Sequence, residues 1–242
     1  MIKKIKQSPL DKQYLALRPY TATPINVDFK NVLVNKPWGN EYLMFGNDEI
    51  ELWNLFIRHQ RATSMHCHPN KKTTLMVLEG RALFSSLNES WELLPMDTVV
   101  IDSGVFHSTQ SISKEGLRLL EFENPPMKHD LVRLEDKYGR AQTGYEGAEQ
   151  MTADNERVRL FGATHGKSHD VSGKKMYIYK ISDQKDINAF KDKKDAFAVI
   201  LGGAILSDIG EPLYSATNVL TLEELVGTDI HFENLSILLV EP

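Results

Sequence analysis

The sequence predicts an all-β protein built on a jelly-roll barrel. Short runs of strand-forming residues recur between Tyr42 and Phe122, and Gly, Asn, Asp, Ser or Pro residues separate them. Almost no stretch of this region shows the periodicity of an amphipathic helix. Short strands at such even spacing are typical of antiparallel sandwiches and barrels, and the mouth of a jelly-roll barrel can also hold a ligand.

A helix, a set of strands and an arm can be placed along this framework. Ser8 can cap a short helix at Pro9–Leu17, because its hydroxyl accepts a hydrogen bond from a first-turn amide and proline suits the first helical position. The predicted strands are Tyr42–Phe45, Glu51–Arg58, Thr74–Leu78, Ala82–Leu87, Trp91–Leu94, Thr98–Ile101 and Leu117–Phe122. The charged segment Lys128–Arg140 contains interspersed apolar residues, and we expect it to pack across the barrel as an arm.

Composition and charge narrow the class of protein. The 242 residues are 41% hydrophobic and 25% charged, which is ordinary for a globular protein with a buried core. The formal net charge of −5, with no basic block beyond Lys3–Lys6, argues against a nucleic-acid or membrane partner. We expect a cytoplasmic protein, because no apolar run could span a bilayer and the N-terminus lacks signal-peptide features. Cys67 is the single cysteine, so no intrachain disulfide can form.

Three histidines fall where two strands would bring them together. His66 and His68 flank Cys67 in an extended segment, so the two imidazoles project to one face and the thiol to the other. His107 follows a turn at Gly104, at the start of another strand. Converging imidazole nitrogens suit zinc, iron, nickel or copper better than magnesium or calcium. We therefore predict one transition-metal site, the alternative being polar residues on a solvated face.

A weak internal repeat relates the two halves of the chain. Three pairs of segments resemble each other: Val77–Leu83 and Ile200–Leu206, Met96–Ile101 and Thr217–Leu222, and Leu117–Pro125 and Leu235–Pro242. We therefore expect a metal-binding domain at residues 1–140, a connection at 141–174 and a degenerate β unit at 175–242. In that unit Gly202-Gly203 keeps a turn, while Ala189 and Lys191 take the positions of the two imidazoles, so it is predicted to hold no metal.

Two further motifs carry a resemblance to a known family. The opening Lys36-Pro37-Trp38-Gly39 and the long tail Asp130–Arg140 bracket the histidine motifs. Together with them they resemble the cupin superfamily and, over residues 36–140, the cupin domain of type II phosphomannose isomerases. The resemblance implies a cupin jelly roll in which His66, His68 and His107 bind zinc, iron, nickel or manganese. With the repeat, it implies a bicupin-like chain.

The glutamate that completes the family's metal site is replaced by Thr73 in this chain. The site is then expected to lose its only fixed negative charge. It is either a three-histidine centre with open positions, or a weakened metal site in which Lys71 or Lys72 binds a phosphate or carboxylate. The coincidence of three imidazoles favours the first interpretation.

Charged residues near the expected pocket indicate the chemistry. Aldose–ketose isomerisation needs a base to move a proton and an electrophile to polarise the carbonyl, which a bound metal can provide. The predicted catalytic residues are Glu121, Lys72 and Arg140, and the predicted substrate-binding residues are Arg61, Arg133 and Glu123. Arginine and lysine at these positions favour an anionic substrate.

The resemblance implies a metal-dependent isomerase or epimerase, similar to mannose-6-phosphate isomerase, acting on a phosphorylated or nucleotide-linked sugar. Two alternatives come from other classes: a three-histidine non-heme iron dioxygenase and a non-catalytic sugar-binding cupin. The metal content of the purified protein distinguishes them. Cupins often dimerise through barrel strands, so the resemblance also implies either a homodimer or a second unit that covers the same apolar surface within one chain.

Overall fold

The computed structural model describes residues 1–18, 27–140, 144–193, 195–226 and 231–242. The chain forms two compact units, Met1–Arg159 and Leu160–Pro242, which we name the first and second units. The predicted connection at 141–174, of which 141–143 lie outside the described residues, is divided between them. The reason is strand pairing: Met151–Ala153 pairs with a strand of the first unit and His169–Val171 with a strand of the second.

Short strands make up most of the first unit. They are β1 (Ile2–Ile5), β2 (Val32–Lys36), β3 (Gly39–Gly46), β4 (Glu51–Ile57), β5 (Met65–Cys67), β6 (Lys72–Glu79), β7 (Ala82–Ser86), β8 (Ser90–Leu93), β9 (Thr98–Ile101), β10 (His107–Ser111), β11 (Leu117–Asn124), β12 (Val132–Glu135) and β13 (Met151–Ala153). Helix α1 spans Pro9–Ala16, and single 3-10 turns lie at Phe29–Asn31 and Ala148–Gln150. Each strand predicted between Tyr42 and Phe122 is present.

The order of these strands is that of a jelly roll. One sheet has the order β1-β9-β6-β11-β4-β3-β2-β13 and the other β12-β5-β10-β7-β8. From β4 to β11 the chain switches between the sheets, so that β9-β6-β11-β4 lies in one and β5-β10-β7-β8 in the other. Two Greek keys folded into a double sheet have this order. The predicted all-β jelly-roll class is therefore confirmed.

Helix α1 begins where the sequence predicts. The Ser8 hydroxyl accepts a hydrogen bond from the Asp11 amide, and the Asp11 carboxylate accepts one from the Ser8 amide, which makes a capping box. The second Asp11 oxygen accepts from the Phe106 amide at 2.9 Å, so the cap also ties the helix to the segment before β10. Within the described ranges, none of the helices is long and apolar enough to cross a membrane.

Cys67 lies in a small apolar cluster next to the histidine motif. Its side chain is fully buried and packs with Phe106 and Val132. Burial raises the pKa of the thiol to about 12, so the thiolate that binds metals is disfavoured. Cys67 is thus a core residue, as its strand parity predicts.

The second unit is also built mainly of strands. They are β14 (His169–Val171), β15 (Lys174–Lys180), β16 (Phe197–Leu206), β17 (Pro212–Ser215), β18 (Val219–Thr221) and β19 (His231–Glu241), and the helices are α2 (Gln184–Asn188) and α3 (Leu222–Val226). The strand order is β14-β15-β19-β16-β17, and β18 also pairs with β16. The predicted second β unit is confirmed.

The internal repeat is visible in the register of the strands. Equivalent pairs of backbone hydrogen bonds join Val77 to Met96 and Asp97, and Ile200 to Thr217 and Asn218. Leu119 lies opposite Val77, as Ile237 lies opposite Ile200. All three pairs of segments that the sequence relates therefore take equivalent places. The long strand β16 corresponds to β6 and β7 joined end to end, and β19 to β10 and β11.

Two details of the predicted repeat are wrong. Gly202 and Gly203 lie inside β16, where the pairing with β19 shifts register, and do not form a turn between strands. Gly203 has a φ of +73°, and a side chain there would meet the Glu233 carbonyl oxygen at 2.2 Å, so this bend requires glycine. Ala189 and Lys191 follow helix α2 instead of lying on a strand, because a capped helix forms in that segment.

Helices α2 and α3 pack on the sheet of the second unit. Ile187 of α2 and Leu225 of α3 share one buried cluster with Ala198, Ile200 and Leu239 of β16 and β19. These side chains are almost completely excluded from solvent. Apolar side chains therefore form the interior of the second unit at this face of its sheet.

Candidate metal centre

The structure brings the three histidines of the sequence motifs together in the smaller sheet of the first unit. His66 on β5 lies directly opposite His107 on β10, and His68 follows β5 with the same parity as His66. The ring centroids are 4.5 to 5.5 Å apart. One ring nitrogen of each histidine lies within 4.8 Å of the others, and all three side chains are buried.

Backbone carbonyls fix the tautomer of each ring. Hydrogen bonds run from Nδ1 of His66, His68 and His107 to the carbonyl oxygens of Ser64, Asp130 and Val105, at 2.8, 2.6 and 3.0 Å respectively. Because each Nδ1 then carries the proton, each Nε2 keeps a free lone pair. Among the described residues, His68 Nε2 is buried without a hydrogen-bond partner, and such an orphaned atom indicates a missing ligand.

Burial keeps the three rings neutral. It lowers the pKa of His66 and His68 well below the usual value for histidine, and that of His107 to about 4. Neutral imidazole is the form that binds transition metals. Three neutral nitrogen donors, one of them orphaned, therefore fit a divalent transition metal.

Two glutamates of β11 lie beside the histidines. Glu121 and Glu123 are two residues apart on one strand and project to the same face. One ligand atom each of Glu121, Glu123 and His68 lies within 4.8 Å of the others. Glu123 stands directly opposite Thr73 in the β6–β11 pair. The expectation that Thr73 leaves the site without a fixed negative charge is wrong, because carboxylates reach it from another strand.

Buried ion pairs surround these glutamates. Nζ of Lys128 lies 3.3, 3.6 and 3.2 Å from carboxylate oxygens of Glu41, Glu121 and Glu123. Lys71 Nζ lies 2.7 Å from Glu123. The members are strongly interdependent, because the loss of one would leave a charge in the interior without a partner.

The ion pairs continue toward the C-terminal arm. The outer members are Lys36, Arg133, Arg140, Asp136 and Glu146. Arg140 lies 2.7 Å from Asp136 and 2.6 Å from Glu146, and Lys36 contacts both Glu41 and Glu146. Five basic and five acidic side chains are thus linked in what we name the ion-pair network. With all ten groups ionised, its net charge is zero.

A cavity of about 60 Å³ lies among these groups. Its walls are formed by His66, His68, the lysines, arginines and inner glutamates of the ion-pair network, and several apolar or aromatic residues such as Trp38 and Tyr145. A second cavity, of about 10 Å³, is lined by His66, His107 and Glu121. Glu121 and His66 therefore line both spaces.

Two buried carboxyl groups that line the larger cavity have pKa values shifted in opposite directions. Burial raises the pKa of Glu121 to about 7, although Lys128 opposes the rise. Burial alone would also raise the pKa of Glu41, but Lys128 and Lys36 outweigh it and lower the pKa to about 2. Glu121 is therefore suited to exchange a proton near neutral pH, while Glu41 stays ionised.

Four of the predicted catalytic and substrate-binding residues line the larger cavity, namely Glu121, Glu123, Arg133 and Arg140. Sequence reasoning missed Lys36, Glu41, Lys128 and Tyr145, which line it as well. Lys36 stands in the Lys-Pro-Trp-Gly opening, so a signal for it was present. The other three carry no motif, and the fold alone brings them to the cavity.

Lys72 and Arg61 are not placed as predicted. The Lys72 side chain is 55% exposed, and its Nζ lies 4.0 Å from a carboxylate oxygen of Asp102. Arg61 is exposed and does not line either histidine cavity. Adjacent residues of a strand point to opposite faces, and here Lys71, not Lys72, points into the barrel.

No protein-family model matches the chain, and no curated protein matches it. Solved structures are similar over part of its length. A cupin-2 domain protein from Rhodospirillum rubrum is 18% identical with a TM-score of 0.37, over 46% of this chain and 80% of that one. KdgF from Halomonas sp. is 13% identical with a TM-score of 0.35, over 37% of this chain and 82% of KdgF. The DMSP lyase DddQ from Ruegeria pomeroyi is 20% identical with a TM-score of 0.36, over 39% of this chain and half of the lyase.

A cupin domain is thus among the similar structures, and cupin is the fold that the sequence predicts. The jelly-roll assignment rests on the strand order of the first unit. The resemblance to phosphomannose isomerases stays a prediction.

Proposed function

We propose that the protein is a metal-dependent enzyme of isomerase or epimerase type that acts on an anionic sugar, either phosphorylated or nucleotide-linked. The observation that carries the proposal is one buried site that combines three neutral histidines, Glu121 and a set of basic side chains. These groups support metal binding, proton transfer and anion recognition in turn.

We assign proton transfer to Glu121. It lines the larger cavity with His66 and His68 and the smaller one with His66 and His107. When bound, a metal would supply Lewis-acid polarisation of a substrate oxygen and so acidify the neighbouring C–H group. Glu121 removes that proton and, as its conjugate acid, returns it on the same face to the adjacent carbon, as aldose–ketose isomerisation requires. Lys128, 3.6 Å away, holds the carboxylate in position.

Charge balance supports an anionic substrate. With all ten groups ionised the ion-pair network has no net charge, so a divalent cation bound by neutral histidines adds positive charge that this network does not offset. A phosphate or diphosphate group would offset it. We assign Arg133 and Arg140 to this group, because both line the cavity and carry positive charge that attracts phosphate oxygens.

Solvent deuterium exchange tests the proposal without knowledge of the product. Full-length protein is loaded with zinc, iron, nickel or manganese and incubated in D₂O with mannose 6-phosphate, fructose 6-phosphate or a nucleoside-diphosphate sugar. Neutral mannose and fructose are the controls. We expect deuterium on a carbon of at least one anionic sugar, little on the neutral sugars, and none with Glu121→Gln. Absence of exchange with every metal and sugar would contradict the proposal.

Thermal unfolding provides a second readout. Anionic sugars should raise the Tm more than neutral sugars, because a ligand that binds only the folded state stabilises it. An equal response to both classes would count against an anionic substrate. Stabilisation without exchange would support the sugar-binding alternative, and oxygen consumption by the iron-loaded protein would support the dioxygenase. The position of Glu121 beside the histidines favours proton transfer over both.

A further inference from the structure

Glu123 has an unsatisfied oxygen in the most deeply buried part of the site. Its side chain is 1% exposed, and Oε1 takes the contacts with Lys71 at 2.7 Å and Lys128 at 3.2 Å. Oε2 is buried and has no hydrogen-bond partner among the described residues. A buried carboxylate oxygen without a partner is costly, so Oε2 indicates a group that the protein alone does not supply.

The free nitrogen of His68 is orphaned in the same place. Nδ1 of His68 is bonded to the Asp130 carbonyl, and Nε2 is buried without a partner in the described part of the chain. His68 and Glu123 belong to one group whose ligand atoms lie within 4.8 Å of one another. A carboxylate oxygen and an imidazole lone pair cannot hydrogen-bond each other, because neither carries a proton. A cation bound to both would satisfy them together.

Strand register explains how a carboxylate reaches this position. Glu123 on β11 and Thr73 on β6 are direct cross-strand partners, and the Cβ atoms of such partners lie about 5 Å apart. The Thr73 hydroxyl is buried and has no hydrogen-bond partner within the described ranges. Because threonine is short, the Glu123 side chain can extend into the space that a longer residue at position 73 would take.

We propose that Glu123 is a fourth protein ligand of the metal, bound through Oε2 together with His66, His68 and His107. The inference rests on the metal binding of the proposed function and adds a ligand from a strand to which the sequence resemblance assigns none. Lys71 holds Oε1 and thereby leaves Oε2 for the metal. Glu121 is the more accessible carboxylate, 9% exposed against 1%, and stays open to substrate.

Zinc affinity of the full-length protein, measured by competition with a chromophoric chelator, tests this inference. Glu123→Gln should weaken zinc binding at least tenfold, since loss of a mere outer-shell partner already costs about 10- to 100-fold. The absorption spectrum of the cobalt-substituted protein should change as well. Glu51→Gln is the matched control, because Glu51 faces Glu123 from β4 on the other side of β11. We expect less than about a threefold change for Glu51→Gln.

Folding of the variants is checked by circular dichroism, and a crystal structure of the zinc-loaded wild type does not depend on Glu123→Gln being stable. The double variant Thr73→Glu/Glu123→Gln moves the carboxylate across the ladder and should recover much of the lost affinity. In a crystal structure of the zinc-loaded wild type, Glu123 Oε2 should lie about 2.0 to 2.2 Å from the metal. Glu123 bonded to its lysines alone in that structure would overturn the inference.

The outcomes separate this inference from the proposed function. If the wild type binds zinc and folded Glu123→Gln binds it within threefold as tightly, only the role of Glu123 is overturned. If Glu123 ligates the metal but no sugar exchanges deuterium, only the enzymatic proposal is overturned. Wild-type protein that binds neither zinc nor cobalt would overturn both.

Discussion

The two units share one pattern of strand pairing, which we call the ladder: β6 with β11 in the first unit and β16 with β19 in the second. They differ in the surroundings of the side chains on one face of this ladder. Glu121 lies opposite Leu75 in the first unit, and Leu239 lies opposite Ala198 at the equivalent place in the second. Glu121 faces a polar cavity, whereas Leu239 belongs to an apolar core. The backbone pattern therefore specifies the ladder, and the side chains on one face decide whether it carries a site.

A second equivalent pair differs only in its surroundings. Glu123 lies two residues after Glu121, and Glu241 lies two residues after Leu239. Each forms an ion pair with a lysine. The Glu123–Lys71 pair is 1% exposed on both sides, while Glu241 and Lys193 are 21% and 29% exposed. The same residue types can thus form an interior ion pair in one unit and a surface pair in the other.

Exchanging the side chains of the first pair should have the largest effect. Leu239→Glu places a carboxylate in a core of apolar side chains, and we expect a loss of about 4 kcal/mol or more of unfolding free energy. Glu121→Leu should cost less than about 1.5 kcal/mol, because Lys128 keeps Glu41 and Glu123 as partners. Urea unfolding, with hydrogen exchange of the β19 and β11 peptides, measures both. Equal losses would contradict the comparison.

The buried and the partly exposed ion pairs should differ in how much they contribute to the free energy of unfolding. Lys128→Met leaves three glutamates of a buried network without their shared cation, and we expect a loss of about 3–5 kcal/mol. Lys193→Met removes a partly exposed pair, which should cost about 1 kcal/mol or less. Urea midpoints at constant slope provide the values. A cost for Lys193→Met as large as that for Lys128→Met would show that exposure does not decide the difference.

Metal binding should distinguish the units in a third way. His107→Ala removes one of the three imidazoles, and we expect zinc affinity to fall more than about 100-fold, or roughly 2.7 kcal/mol. His231 is the exposed control in β19, and His231→Ala should leave both affinity and stoichiometry unchanged. Metal analysis and chelator competition on the full chain measure both variants. Unchanged zinc content in His107→Ala would remove the basis of the metal site.

Alanine substitution at the equivalent glycine bends of the two units should lower the free energy of unfolding by similar amounts. Gly80 and Gly203 have φ values of +82° and +73°, and an added Cβ would meet a backbone oxygen at 2.3 and 2.2 Å. We expect alanine at either position to cost about 1–3 kcal/mol. Gly173→Ala is the control, because Gly173 has a φ of +70° with open space around it and should cost only about 1 kcal/mol. A loss confined to Gly80→Ala would argue against equivalent bends.

The strand class and the histidine grouping could be predicted because both depend on local geometry. Successive side chains of a strand point to opposite faces, so His66 and His68 share a face and Cys67 does not, whatever the rest of the chain does. Short strands between turn residues likewise predict a sandwich or barrel. The repeat was visible because the two ladders need apolar residues and bends at matching places.

The charges around the histidines depend on contacts that sequence spacing does not reveal. Lys128 meets Glu41, which is 87 positions away, only because β3, β11 and the arm converge in the barrel. The face to which Lys71 or Lys72 points depends on where β6 enters the sheet, and a shift of one residue reverses it. For the same reason, Thr73 in the sequence indicated that the metal site lacks a carboxylate, whereas the register of β6 and β11 places Glu123 opposite Thr73. Parity follows from covalent geometry, whereas register and long-range pairing are decided when the strands pack.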